Sequence, residues 1–165
     1  MKAYKAEELR AFTGALFRSE RFDAFLLCEA SFRTAFSLEI DGRRNKDWYS
    51  AEEEQELGAE DFVRWGEVRE LAFQAIRGKK VPKAFRLVLR LNRQESTAFL
   101  AESGSRLRPE EVSGFYWNLQ YEEKTLRLVS GVSVTAFPGD KALEQLWDQA
   151  TVARLRAMGL VISEL

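Results

Sequence analysis

Phe85-Arg86-Leu87-Val88-Leu89-Arg90-Leu91 has the two-residue period of a strand with one face in a core. Phe85, Leu87, Leu89 and Leu91 share that face, and Arg86, Val88 and Arg90 share the other. One-sided alternation of this kind belongs to antiparallel sheets, because parallel sheets are covered on both faces. The period recurs downstream at Phe115, Trp117, Leu119 and Tyr121. Past a turn at Glu122-Glu123-Lys124 it returns at Leu126 and Leu128, and Val132 and Val134 continue it beyond Gly131. Upstream, Phe36, Leu38 and Ile40 alternate with Ala35, Ser37, Glu39 and Asp41, and Asp41-Gly42 starts a turn. Residues 25–30, Phe-Leu-Leu-Cys-Glu-Ala, read as a strand apolar on both faces.

Helical spacing fills the gaps. Leu9, Phe12, Thr13 and Leu16 predict a helix over 6–18. Ser50 and Glu53 have capping-box spacing. Phe62, Trp65, Val68, Ala72 and Ile76 predict a helix over 60–77 that Gly78 ends. Asn92, with Glu95 three residues on, caps a short helix carrying Phe99 and Leu100. Pro138-Gly139-Asp140 precedes a last helix striped by Leu143, Leu146, Trp147, Ala150 and Ala157, and Gly159 closes it. The expected fold is α+β: one domain over 1–165, with a largely antiparallel sheet backed by helices.

The chain also reads as two similar halves, 1–78 and 84–159, each running strand, helix, strands, long helix, glycine. A short strand at 2–5 opens the first. At an offset of 87, Glu8, Ala11 and Phe12 fall on Glu95, Ala98 and Phe99; at 90, Phe25, Leu27, Phe36 and Leu38 fall on Phe115, Trp117, Leu126 and Leu128. Alternating strands match one another readily, so this is an architectural option and not proof of duplication.

The 165 residues include no histidine and one cysteine, Cys28. Ser-His-Asp and Cys-His nucleophiles are thereby excluded, as are zinc sites built on His or on Cys clusters. One thiol forms no internal disulfide, which fits a reducing compartment. No apolar run approaches the ~20 residues needed to span a bilayer, so the expected location is cytoplasmic. A net charge of -1 gives no global pull toward nucleic acid or an anionic membrane.

The sharpest local feature is residues 41–49, Asp-Gly-Arg-Arg-Asn-Lys-Asp-Trp-Tyr, which contain no aliphatic side chain. Arg43, Arg44 and Lys46 are candidates to hold phosphate or carboxylate groups, and Trp48 and Tyr49 to stack on a planar ligand. The plainer alternative is a charged strand-to-helix connection with Trp48 and Tyr49 tucked onto the core. Asp41-Gly42 followed by Asn45-Lys46-Asp47-Trp48-Tyr49 resembles the signature of an uncharacterised family of short proteins from Clostridia and related Firmicutes. Met1-Lys2 and Phe22-Asp23-x-Phe25-Leu26 are similar too. The resemblance spans essentially the whole chain and implies no activity, cofactor or site residue.

Two further features compete with this loop. Arg77, Lys79, Lys80, Lys83, Arg86, Arg90 and Arg93 form a stretch without acids. Its strand residues Arg86 and Arg90 are candidates to track the phosphates of a nucleic acid. The alternative is a solvated face paired with the acidic residues of segment 52–61. Glu39 and Asp41 share a strand face and, with Asp47, form the one localised option for a metal ion in a hydrolase or nuclease. Glu29 stands alone among apolar neighbours, so burial is expected to raise its pKa; Cys28 is expected to be an inert packed thiol. The preferred reading is a non-catalytic binding or interaction protein that uses a polar sheet face and the 41–49 loop. A metal-dependent hydrolase or nuclease and a nucleic-acid-binding module are the alternatives. Nothing in the sequence selects a protein or nucleic-acid partner or an oligomeric state.

Overall fold

The structure, a computed structural model, describes residues 1–58, 60–135 and 137–165. In chain order the elements are β1 (Ala3–Ala6), α1 (Leu9–Arg18), β2 (Leu26–Arg33), β3 (Ser37–Asp41), α2 (Ala51–Leu57) and α3 (Trp65–Ile76). There follow β4 (Ala84–Arg90), α4 (Arg93–Ser103), β5 (Val112–Glu122), β6 (Thr125–Val134), α5 (Lys141–Ala157) and β7 (Ile162–Glu164). The strands form one antiparallel sheet in the order β3-β2-β4-β5-β6-β1-β7. It is an α+β fold. The order strand, helix, strand, strand, helix does repeat along the chain, but the pairing does not: β4 lies beside β5, whereas β1 lies beside β6 and not β2.

Alternation in the sequence becomes two unlike sheet faces. Phe85, Leu87 and Leu89 of β4, Phe115, Trp117 and Leu119 of β5, and Leu126 and Leu128 of β6 enter one apolar cluster. Into the same cluster go Phe12 and Leu16 of α1, Trp65 of α3, Leu100 of α4, and Leu143, Trp147 and Leu155 of α5. Those helices therefore cover one face. Each buried indole finds an acceptor: Trp65 donates to the Leu16 carbonyl, Trp117 to the Thr151 hydroxyl and Trp147 to the Tyr116 carbonyl. Such partners remove the cost of burying an unmatched N–H. The opposite face carries Glu29, Ser31, Glu39, Arg86, Gln120 and Arg127, all exposed or half-exposed.

Two expectations need correction. The helix foreseen over 60–77 begins at Trp65, because residues 61–64 are extended: the Val63 amide donates to the Gly42 carbonyl at 2.8 Å and the Trp65 amide to Phe25 at 2.8 Å. Glu67, whose carboxylate accepts from the Arg64 amide at 2.6 Å, fixes the true start. Phe36 lies outside β3, in the β2–β3 hairpin, and is 65% exposed. The terminal strand β7, three residues long, carried too little pattern to be read.

Candidate functional site

The open face becomes a site where β2 and β3 meet the chain leaving them. β2 carries a bulge between Leu27 and Glu29, opposite β4. Bulges re-aim groups at sheet edges and functional sites; here the Cys28 carbonyl accepts from the Gly42 amide at 2.9 Å. A Cβ on Gly42 would sit 1.7 Å from the Leu27 carbonyl oxygen, so only glycine allows this close passage. Beyond it, Arg43 bridges Phe62, and residues 61–65 wedge between this crossover and the start of β2.

Arg44 locks the crossover. Its guanidinium is almost wholly buried, donating to the Phe62 carbonyl at 3.1 Å, the Tyr49 hydroxyl at 3.4 Å and Glu67 Oε2 at 3.3 Å. It also lies over the Tyr49 ring. Arg44 thus spends its donors inside the fold, while half-exposed Tyr49 lines, with Arg44 and Lys46, a separate shallow cleft of about 220 Å³. Lys46 pairs with Asp61 at 3.2 Å. Trp48 is 82% exposed, so it is not tucked onto the core.

With the crossover fixed, a cleft of about 570 Å³ opens over β3, β2 and β4. Glu29, Glu39, Asp41, Arg43, Arg86 and Phe62 supply its charged and aromatic walls, and Cys28, Ser31 and Val88 its floor. The guanidinium carbons of Arg43 and Arg90 lie over the Phe62 ring, 5.6 and 4.8 Å from its centroid, within the range of cation–π attraction. Gly114 leaves room for the Arg90 stem, since a Cβ there would sit 2.6 Å from Arg90 Cδ. Arg90 itself lines a neighbouring cleft of about 450 Å³. Arg86 reaches back to Glu29 at 3.3 Å, and Asp41 accepts from the Arg43 amide at 2.9 Å.

The structure thus brings together Arg43, Arg86, Arg90, Glu39 and Asp41, and leaves Arg44, Lys46, Trp48 and Tyr49 apart from them. Asp47 sits outside the cleft in the 3₁₀ turn Lys46–Trp48. Among the described residues no three Asp, Glu or Cys side chains are placed to hold a metal ion, and Glu39, Asp41 and Asp47 are no exception. Glu29 is exposed in its pair with Arg86 and not buried among apolar groups. Burial pushes the Cys28 thiol up to about 11, opposed by nearby Arg90 and reinforced by Glu29. Phe62 is the site residue that helical spacing hid. The three-residue spacing of Arg64 and Glu67 is the local mark of a helix start after Phe62, and a faint one because Arg is not a favoured N-cap.

What these features define is an α+β protein with a sheet covered on one side and a mixed-charge cleft on the other. The chain belongs to a family of unknown function (DUF5721), whose model matches residues 15–161. No curated protein and no solved structure matches it.

Proposed function

We propose that this is a non-catalytic, cytoplasmic binding protein that receives a protein partner on its open sheet face. The observation that carries the proposal is the cleft at Phe62, where Arg43 and Arg86 stand among three carboxylates and the ring also carries the Arg90 guanidinium of the neighbouring cleft. Alternating charges of this kind complement a polypeptide carrying both signs. A polyanion laid along the face would meet Glu29, Glu39 and Asp41. The lone thiol, held protonated, suits a reducing compartment.

A photo-crosslinking residue in place of Ser31, on the cleft floor, tests this in the native host. One discrete protein adduct is expected, lost when Arg43→Ala and Arg86→Ala are combined and absent when the probe replaces Leu71 on α3. Equal adducts from both positions, or none from Ser31, would sink the proposal.

A further inference from the structure

A second surface lies at the other end of the strands, where β2 finishes and β4 begins. The segment 77–83 between α3 and β4 carries Arg77, Lys79, Lys80 and Lys83 and no acid. The Lys83 amide donates to the Arg33 carbonyl at 2.8 Å, and Arg33 pairs with Ala84 on one side and Ser37 on the other. The 77–83 loop and the β2–β3 hairpin are therefore neighbours. All five cations are exposed, and among the described residues none lies within ion-pair distance of a carboxylate. Each loop also holds a large apolar side chain out in water: Phe36 is 65% exposed and Val81 74%. The adjoining β5–β6 turn adds Glu122, Glu123 and Lys124.

The acidic helix α2, with Glu52, Glu53, Glu54 and Glu56, hangs from the opposite end, beyond the last residue of β3. A net charge of -1 thus conceals a molecule with one basic and one acidic end. The basic stretch 77–93 is itself divided: Lys79, Lys80 and Lys83 lie at this end, Arg86 is paired in the cleft, and Arg90 sits over Phe62.

We propose that the basic end docks on an anionic phospholipid surface. Phe36 and Val81 enter the headgroup layer while Arg33, Arg77, Lys79, Lys80 and Lys83 face the lipid phosphates. Apolar tips ringed by Lys and Arg gain from both burial and surface potential at such an interface. A flat surface met end-on also keeps α2 away from the anionic charge. A nucleic acid fits less well, because Val81 has no ring to stack on a base and a strand running on along the sheet would meet the cleft carboxylates.

Co-sedimentation of the purified chain with vesicles tests this. Binding is expected to vesicles of phosphatidylcholine with about one-third phosphatidylserine, but not to phosphatidylcholine alone, and to weaken with salt. Each Lys near such a surface is worth roughly fivefold in affinity, so K79A/K80A/K83A should bind on the order of 100-fold more weakly. F36S/V81S, which leaves the charge unchanged, should also lose binding, by about tenfold or more. All five positions are exposed, so circular dichroism should show intact folding. No binding to the anionic vesicles at low salt, or full binding by either variant, overturns the proposal. So does a short DNA duplex that outcompetes the vesicles and binds F36S/V81S as tightly as the parent.

Discussion

Replacing Gly42 by alanine tests the crossover that builds the cleft. The added Cβ would lie 1.7 Å from the Leu27 carbonyl oxygen and 2.6 Å from its carbon, where real Cβ atoms stay beyond 3.0 Å. The clash is with backbone, so no side chain can swing aside, and the crossover must retreat by about 1.3 Å from the position where the Cβ contact is 1.7 Å. Such a retreat strains or breaks the bonds from the Gly42 amide to Cys28 at 2.9 Å and from the Val63 amide to Gly42 at 2.8 Å. Overpacking costs about 1–3 kcal/mol, and each backbone bond lost adds about 0.5–1.5 kcal/mol. Gly42→Ala should therefore cost about 3–5 kcal/mol, or roughly 1.5–2.5 M in urea midpoint at a slope near 2 kcal/mol/M. Tryptophan fluorescence can follow the transition, since Trp65, Trp117 and Trp147 are fully buried. Gly131→Ala is the control, because a Cβ there meets nothing within 4 Å. A loss below about 1 kcal/mol for Gly42→Ala, similar to the control, would refute the close approach.

Two other consequences follow from the same geometry. Arg44→Ala should cost about 2–3 kcal/mol by removing three hydrogen bonds from a buried guanidinium. Arg44→Lys should recover less than half in the same urea titration, since an ammonium lacks the planar fork; stability within 0.5 kcal/mol of the parent for Arg44→Ala would mean that Arg44 locks nothing. Cys28, with its thiol pushed up to about 11, should react with iodoacetamide at pH 8 roughly 100-fold more slowly than a free thiol of pKa about 8.5. Its raised value also has a stability consequence: the contribution is intact below the ordinary value of 9.0 and lost as pH climbs through about 11. Alkylation of the folded protein as fast as free cysteine would contradict the burial.

The sheet was legible because its strands are half-buried. Phe85, Leu87 and Leu89 against Arg86 and Arg90 reproduce the inner and outer faces directly, and the caps at Ser50 and Asn92 stand where their side chains accept from the amides three residues on. What failed was tertiary. Phe62 and Trp65 are three apart, as on a helix, yet Val63 between them spends its amide on Gly42, some twenty residues away in sequence. No local period records such a bond. Arg43 and Arg44 are adjacent and chemically alike, but extended backbone turns successive side chains to opposite sides. One therefore meets the Phe62 ring while the other is buried on Tyr49 and Glu67. The gathering of Arg43 and Arg86 in one cleft, with Arg90 on the same Phe62 ring, depends on strand order, which sequence patterning leaves open.

The role of the open sheet face is tested most directly by hydroxyl-radical footprinting of the protein in its own cells against the purified chain. Binding on that face predicts protection in cells at Phe62 and at half-exposed Tyr116, with Leu71 on α3 labelled equally in both samples. Equal labelling of Phe62 and Tyr116 in the two samples, or protection confined to Leu71, would contradict it.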